Sequence, residues 1–429
     1  MVPHSALTPA DVGTEASHEL AKDAALQGMV LLQNAHNNKQ RRKALPLQTG
    51  VTTAVLGPLA NITLGMMSRY YDAVCPGVLD PERGSWGKGM RPSGCITAPL
   101  HRLMARGKVL HRSGYVCADE RPNHHCLQEA SQAGIAAAVA AAKMADQIVL
   151  FLGLDNTIEQ EGTDRQSLGL PGAQPALLTA VRKAAPTTPL TVVLLNGGAI
   201  AMDYGSADAV VEAFFPGIEG GEAIACALYG EPGCNRWGRL PVTVFPESFA
   251  GNDMANMAVS AVGGSGSRTY KYYTSEFGAP LFTFGWGLSL VEFALTWATP
   301  PPPSPALVSS TAAVEMSVDA TNTGTREGDV VVMLYHCPSR AAINVPADMP
   351  VPNRRLVGYR RISLAAGEQQ VVTFNVTVEE LSLVDGNGDT QLFQGTHQLR
   401  VWHGAGPVEQ ALQREFHVQH TTVLRTLEW

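Results

Sequence analysis

Four uninterrupted apolar runs, bounded by Gly or Pro and separated by helical patterns, constrain this chain more than any other feature. They are Thr52–Gly57, Gln147–Gly153, Leu190–Gly197 and Ala209–Gly217. A strand with one face in water alternates apolar and polar residues. A strand covered on both faces reads as continuous Val, Ile and Leu, as in parallel sheets sheathed by helices. The segments between supply those helices. Ala133–Ala145 is Ala-rich, Leu177, Leu178, Val181 and Ala184 share one helical face, and Glu219–Leu228 forms a third pattern. Upstream, a helix over His18–Met29 places Leu20, Ala24, Ala25 and Met29 near helical spacing and leads into a strand over Met29–Asn34. This alternation predicts an open α/β sandwich with a mostly parallel sheet.

The pattern then changes. Pro300–Pro305 forms a stiff Pro-rich linker. Beyond it Val314, Met316, Val318 and Ala320 alternate with polar residues, and strands over Val330–Tyr335, Gln370–Val376 and His397–Trp402 follow. Turn signals at Asn322-Thr323-Gly324 and Asp385-Gly386-Asn387-Gly388 separate them. About a hundred residues of short strands read as an all-β, immunoglobulin-like sandwich. The expected organisation is a connector and leading helix at 1–30, the α/β sandwich at 31–298, the linker at 299–308 and the β-sandwich at 309–420. A length of 429 residues suits two or three domains.

Composition narrows the function. A net charge of −7 excludes the dense basic face of a nucleic-acid binder. No run of 18 apolar residues predicts a membrane span. Met1–Ser5 has neither the basic nor the apolar region of a signal peptide, whereas Asn61-Ile62-Thr63 and Asn375-Val376-Thr377 are glycosylation sequons. The seven cysteines show no zinc spacing. Cys117 with Cys126, or Cys226 with Cys234, are near enough in sequence to pair, and buried free thiols fit equally. His124-His125 reads as a surface pair rather than a metal site. Gly263–Ser267 lacks the order of a phosphate loop, and Ser5, Ser167 and Ser289 lie outside any G-x-S-x-G elbow. Tyr71 and Trp86 are candidates for stacking on a sugar, or for packing.

In open α/β sheets, ligands bind beyond the carboxyl ends of the strands. The most acidic such loop follows Gln147–Gly153 and carries Asp155, Glu159, Glu161, Asp164 and Arg165. A carboxylic acid kept protonated by burial or nearby charge can donate a proton to a leaving oxygen. The plainer reading is a solvated acidic turn that caps a helix.

The segment Ile158-Glu159-Gln160-Glu161-Gly162-Thr163-Asp164-Arg165, followed by Leu170-Pro171-Gly172 and Gln174, resembles the acid/base loop of family 3 glycoside hydrolases of the β-xylosidase and β-glucosidase kind. Leu56–Asn61, Pro216–Gly221, Gly238–Thr243, Arg268–Tyr273 and Phe284–Ser289 are similar to further stretches of that family, in order. Val318–Gly324 and Leu356–Tyr359 resemble its fibronectin-III-like module. The resemblance implies retaining hydrolysis of a terminal β-linked sugar by two carboxylates. It implies an oligosaccharide or glycoside substrate, no cofactor and no metal. It places the general acid/base at Glu159, with Glu161 as the second candidate, and gives Asp164 and Arg165 a sugar-binding or loop-fixing role. The nucleophilic Asp it implies belongs to an N-terminal (β/α)8 barrel of roughly 250 residues. Here the family-like sequence begins near residue 1, so no nucleophile is assigned in this chain. The complete enzyme would be secreted or enter the secretory pathway. The rival expectation is a non-catalytic fragment with weak sugar binding.

Overall fold

The computed structural model describes residues 8, 11, 13–37, 42–67, 96–114, 132–155, 158–260, 267–298, 306–308 and 313–427. Tyr71, Trp86, Cys117, Cys126, His124, His125, Gly263–Gly266 and the Pro-rich run lie outside them. The chain divides into two compact units, residues 1–238 and 239–429.

The first unit is an α/β sandwich. Its strands are β1 (Val30–Asn34), β2 (Thr52–Leu56), β3 (Lys108–Arg112), β4 (Gln147–Gly153), β5 (Leu190–Leu195) and β6 (Ala209–Glu212), in the sheet order β1-β6-β5-β4-β2-β3. All pairings are parallel except β1 with β6. Every residue of β4, β5 and β6 is buried, as their continuous apolarity requires. The helices are α1 (Glu15–Gly28), α2 (Pro99–Met104), α3 (Gln132–Lys143), α4 (Gln174–Ala184) and α5 (Gly220–Tyr229). Thr14 caps α1 by accepting the Ser17 N–H at 3.2 Å. Small residues on α3 (Gly134, Ala138, Ala141, Ala142) are buried, and α3 packs on α4.

One sequence expectation needs correction here. The α1 helix forms, but it buries Ala25 and Leu26 while Leu20 stands 69% exposed and Ala24 faces out. A stripe near helical spacing over a dozen residues does not fix its own azimuth when Ala positions are neutral. Strand β3 carries no apolar run in its sequence. It is an edge strand whose Lys108 and Arg112 are exposed on either side of a short Val-Leu-His centre.

The second unit is antiparallel apart from one parallel pairing, of Ala306–Val308 with Leu412–Val418. Its main strands are β7 (Phe293–Trp297), β8 (Ala306–Val308), β9 (Val314–Asn322), β10 (Gly328–His336), β11 (Arg355–Leu364), β12 (Gln369–Val376), β13 (Gly395–Trp402) and β14 (Leu412–Val418). They form a five-stranded sheet, β8-β14-β13-β10-β11, and a three-stranded sheet, β12-β9-β7. Strand β9 alternates as its sequence does, with Val314, Met316, Val318 and Ala320 buried against Val330, Val332, Phe374, Leu399 and Phe416. Residues 239–298 belong to this unit by contact. Tyr270, Phe284 and Trp286 pack on Val331, Met333, Tyr335 and Trp402, and the Tyr270 hydroxyl accepts the Leu356 N–H at 3.1 Å. The division between the two units therefore falls between residues 238 and 239 of the sequence, ahead of the Pro-rich stretch. Among the described residues, no helix is long and apolar enough to cross a membrane.

Candidate active-site loop

The acidic loop leaves the carboxyl end of β4, and its base is fixed from both sides. The buried side chain of Gln174, on the first turn of α4, donates to the Gly153 carbonyl and accepts the Gly153 N–H, both at 2.8 Å. Gly153 adopts φ +139°, and a Cβ there would collide with the Leu195 carbonyl of β5. The Leu154 N–H donates to that same Leu195 carbonyl at 2.7 Å. Only glycine lets the two strand ends approach this closely.

The Ile158 and Glu159 N–H groups both donate to the Asp155 carbonyl, at 3.0 and 3.2 Å. Gln160 and Thr163 then exchange backbone hydrogen bonds of 3.1 and 2.9 Å, which close a tight turn with Glu161 and Gly162 at its tip. Gly162 takes φ +76°, as a turn of this kind requires.

The turn aims Glu159 at the loop after β5. Its Oε1 accepts the Gly198 N–H at 2.9 Å, and its Oε2 pairs with the Arg165 guanidinium. Arg165, only 10% exposed, also donates to the Ala199 carbonyl at 3.1 Å. The loop is pinned again where the Ala201 N–H meets the Leu168 carbonyl at 2.8 Å. The structure thus brings Glu159 and Arg165 together. Glu161 and Asp164 are exposed, and Arg165 turns to Glu159 rather than to its chain neighbour Asp164.

Several residues of this site were not singled out in the sequence. Asn196, Gly197 and Gly198 follow β5 and form the shelf that receives Glu159. The Asn196 side chain donates to the Gly198 carbonyl at 3.1 Å. A Cβ on Gly198 would lie 2.7 Å from Glu159 Oε1 and 2.8 Å from Arg165 Nη2. Their signal was a Gly-Gly pair at the carboxyl end of a buried strand. Next to them, Glu212 ends β6. It accepts the Phe214 N–H at 3.1 Å, and burial pushes its carboxyl up to about 8. Its signal was one acid within an otherwise apolar run.

Elsewhere in this unit Cys226 and Cys234 form a disulfide with a Cα–Cα distance of 5.8 Å. Glu231 lies within 4.8 Å of both sulfurs, but it is held by Arg106 at 2.6 and 3.0 Å, so the trio has no ligand atoms to offer an ion.

The sequence model of the glycosyl hydrolase family 3 C-terminal domain matches residues 29–290, and that of the fibronectin type III-like domain matches 330–405. This chain belongs to glycosyl hydrolase family 3. Its relatives include β-D-xylosidase 1 of Arabidopsis thaliana, 31% identical over 432 residues, covering 93% of this chain and 50% of the relative. A periplasmic β-glucosidase of Salmonella typhimurium is 30% identical over 436 residues, with 94% and 52% covered. Among solved structures, a family 3 exo-β-xylosidase in complex with a xylobiose aziridine probe superposes with a TM-score of 0.73 at 26% identity, covering 95% of this chain and 49% of that one. A β-glucosidase of Erythrobacter marinus gives 0.71 at 26% identity, with 95% and 51% covered. The chain spans about half the length of the curated relatives it matches.

Proposed function

We propose that this chain supplies the proton-donating half of a retaining hydrolase that removes terminal β-linked sugars, with Glu161 as acid/base and Glu159 as its anchor. One observation carries the assignment. Each oxygen of Glu159 already accepts from the protein, one from the Gly198 N–H and one from Arg165, so its carboxyl is held in place as an anchor. Glu161 stands two residues on, exposed at the tip of the turn that Glu159 fixes. A proton donor must reach the glycosidic oxygen, then take a proton from water in the second step. The resemblance alone put Glu159 first, and the hydrogen-bonding pattern supports the reverse order. Asp164, also exposed, is a candidate for contact with sugar hydroxyls.

The nucleophile in this reading is an Asp on a (β/α)8 barrel supplied by the other half of the complete enzyme. The half-length match to the relatives supports that division of labour. Xylosides rank ahead of glucosides as substrates, because several curated sequence relatives at about 30% identity are named as β-xylosidases. One hydroxymethyl group separates the two sugars, and pocket shape decides between them. The setting is secretory, a reading supported by the exposed sequon residues Asn61 and Asn375.

The test compares Glu161→Gln and Glu159→Gln in a form that includes the barrel. E161Q is expected to lose at least ~100-fold on alkyl xylosides with poor leaving groups, retain most of the first step on nitrophenyl xylosides, and recover turnover with added azide. General acid catalysis is worth about that factor. E159Q is expected to weaken both substrates alike, without azide rescue. Azide rescue of E159Q alone would return the role to Glu159. Turnover by the present chain without a barrel would sink the two-part reading.

A further inference from the structure

Among the described residues of the first unit, Glu212 is the most deeply buried carboxyl, at the end of a strand, with no part assigned in the reaction above. Strand β6 is buried along its whole length, and Glu212 is 1% exposed. Among the described residues its hydrogen bonds come from the Phe214 N–H, at 3.1 Å, and from the Asn196 side chain. No Lys, Arg or His pairs with it there. An unpaired buried charge is among the costliest features a fold can carry, so this position needs an explanation beyond packing.

Its two partners lead directly to Glu159. Asn196 donates from Nδ2 to the Gly198 carbonyl at 3.1 Å, and the N–H of that same Gly198 donates to Glu159 Oε1 at 2.9 Å. Phe214, held by the Glu212 carboxyl, returns its carbonyl to the Asn196 N–H at 3.3 Å. Phe214 sits at φ +52°, a conformation disfavoured for an aromatic residue, which must be held by its surroundings. The neighbouring Phe215 ring closes the other side of the shelf, where a Cβ on Gly197 would meet it at 3.0 Å and Glu159 Oε1 at 3.7 Å. The Asn196-Gly197-Gly198 shelf is therefore clamped between Glu212 and Phe214 beneath and Glu159 above.

We propose that Glu212 is a positioning residue for the acid/base loop: through Asn196 and Phe214 it sets the shelf whose Gly198 N–H holds Glu159, and it does so as an uncharged acid. Two observations support the uncharged form. Burial raises the carboxyl to about 8, against smaller opposing effects of the Phe214 and Asn196 hydrogen bonds. In addition, Asn196 Oδ1 is buried without a donor. A protonated carboxyl has an O–H to offer that amide, and a carboxylate has none. The positioning of Glu159 matters to catalysis only under the hydrolase reading, on which this inference rests. The shelf itself can be tested without turnover.

The experiment is amide-detected NMR of the full 429-residue chain, with Gly198 as reporter. Glu159→Gln assigns the signal, because removing the carboxylate shifts the Gly198 amide. Glu212→Ala is expected to move the Gly198 amide toward its E159Q position while the chain still unfolds cooperatively. Glu212→Gln, uncharged and nearly isosteric, is expected to keep the wild-type shift. A wild-type Gly198 signal in folded E212A overturns the relay. Displacement in E212Q as large as in E212A overturns the uncharged form. If E212A does not fold, Asn196→Ala takes its place, with the shift lost in N196A and kept in E212Q, and retention in both overturns the proposal. In a barrel-containing form, E212A should lower kcat at least ~10-fold with little change in KM, and E212Q should restore it. Wild-type kcat in E212A with a displaced Gly198 amide would count against the hydrolase reading and leave the relay standing.

Discussion

The Glu159 carboxylate and the Gly198 N–H meet at 2.9 Å across 39 positions of sequence, joining the loop after β4 to the loop after β5. That contact makes glycine at 198 a requirement of charge as well as of space. A Cβ there would lie 2.7 Å from Glu159 Oε1 and 2.8 Å from Arg165 Nη2, so Gly198→Ala must push apart the pair that fixes the loop. Overpacking of this kind costs about 1–3 kcal/mol. At Gly197 the nearest atom, at 3.0 Å, is an edge carbon of Phe215, a ring that can give. Urea titration should therefore show G198A less stable than G197A, with the residue-198 amide exchanging faster in G198A than in the wild type. Equal midpoints would mean that the pair adapts freely and does not fix the loop.

Gln174 makes a second, independent anchor. Gln174→Leu keeps the volume near enough but orphans the buried Gly153 N–H and carbonyl, at about 1–3 kcal/mol for each group. A loss of about 2–5 kcal/mol in unfolding free energy is expected. Gln174→Glu keeps an acceptor for the N–H but faces the Gly153 carbonyl with an oxygen, and should fall at least as far. A change below 0.5 kcal/mol in Q174L, as is usual for an ordinary surface substitution, would refute the anchor.

What the sequence disclosed here follows from where the signals reside. The strands β4, β5 and β6 were legible because burial on both faces writes itself as an unbroken apolar run, and the β9 alternation because one face meets the core. Strand β3 left no such run, since its flanking Lys108 and Arg112 face water. The acidic loop was visible because Glu159, Glu161, Asp164 and Arg165 are contiguous. Its partners were not, because Gly198 and Glu212 reach it only through the parallel order of β4, β5 and β6, which brings distant strand ends side by side. The pairing of Arg165 with Glu159 rather than Asp164 depends on the turn between Gln160 and Thr163, which no residue type specifies alone.

The β-sandwich carries its own pH dependence. His336 Nε2 and His397 Nδ1 lie 2.9 Å apart in the core, and His397 Nε2 is 2.8 Å from the Phe393 carbonyl. The nearest assignment has His397 donating to Phe393 and His336 donating to His397, which leaves both rings neutral. Burial lowers both, His336 well below the ordinary histidine value, with the neighbouring His397 and Arg355 adding to the effect on His336. The unfolded chain then binds more protons than the folded one below pH ~6.5, so stability is present above that value and is lost as pH falls. The slope approaches about 1.4 kcal/mol per pH unit for each histidine held neutral. Hydrogen exchange of β10 and β13 amides should accelerate from pH 7 to 5, after correction for intrinsic rates, and His336→Phe should flatten that slope. An unchanged slope in folded H336F would show that the pair is not the acid-sensitive element.

Glu212 gives the first unit a dependence of the opposite sign. Its carboxyl is raised from 4.5 to about 8, so the folded state keeps a proton that the unfolded chain releases. The stability linked to that proton is complete below pH ~4.5 and disappears as pH rises through 8. The shift corresponds to an amount on the order of a few kcal/mol. Corrected exchange of the β5 and β6 amides should therefore accelerate from pH 5 to 8 in the wild type. Glu212→Gln, which has no proton to lose, should remove that rise and be the more protected protein at pH 8. A wild-type profile that is flat between pH 5 and 8, or a Gln variant that follows it, would mean that Glu212 is charged in the fold and is compensated by a partner.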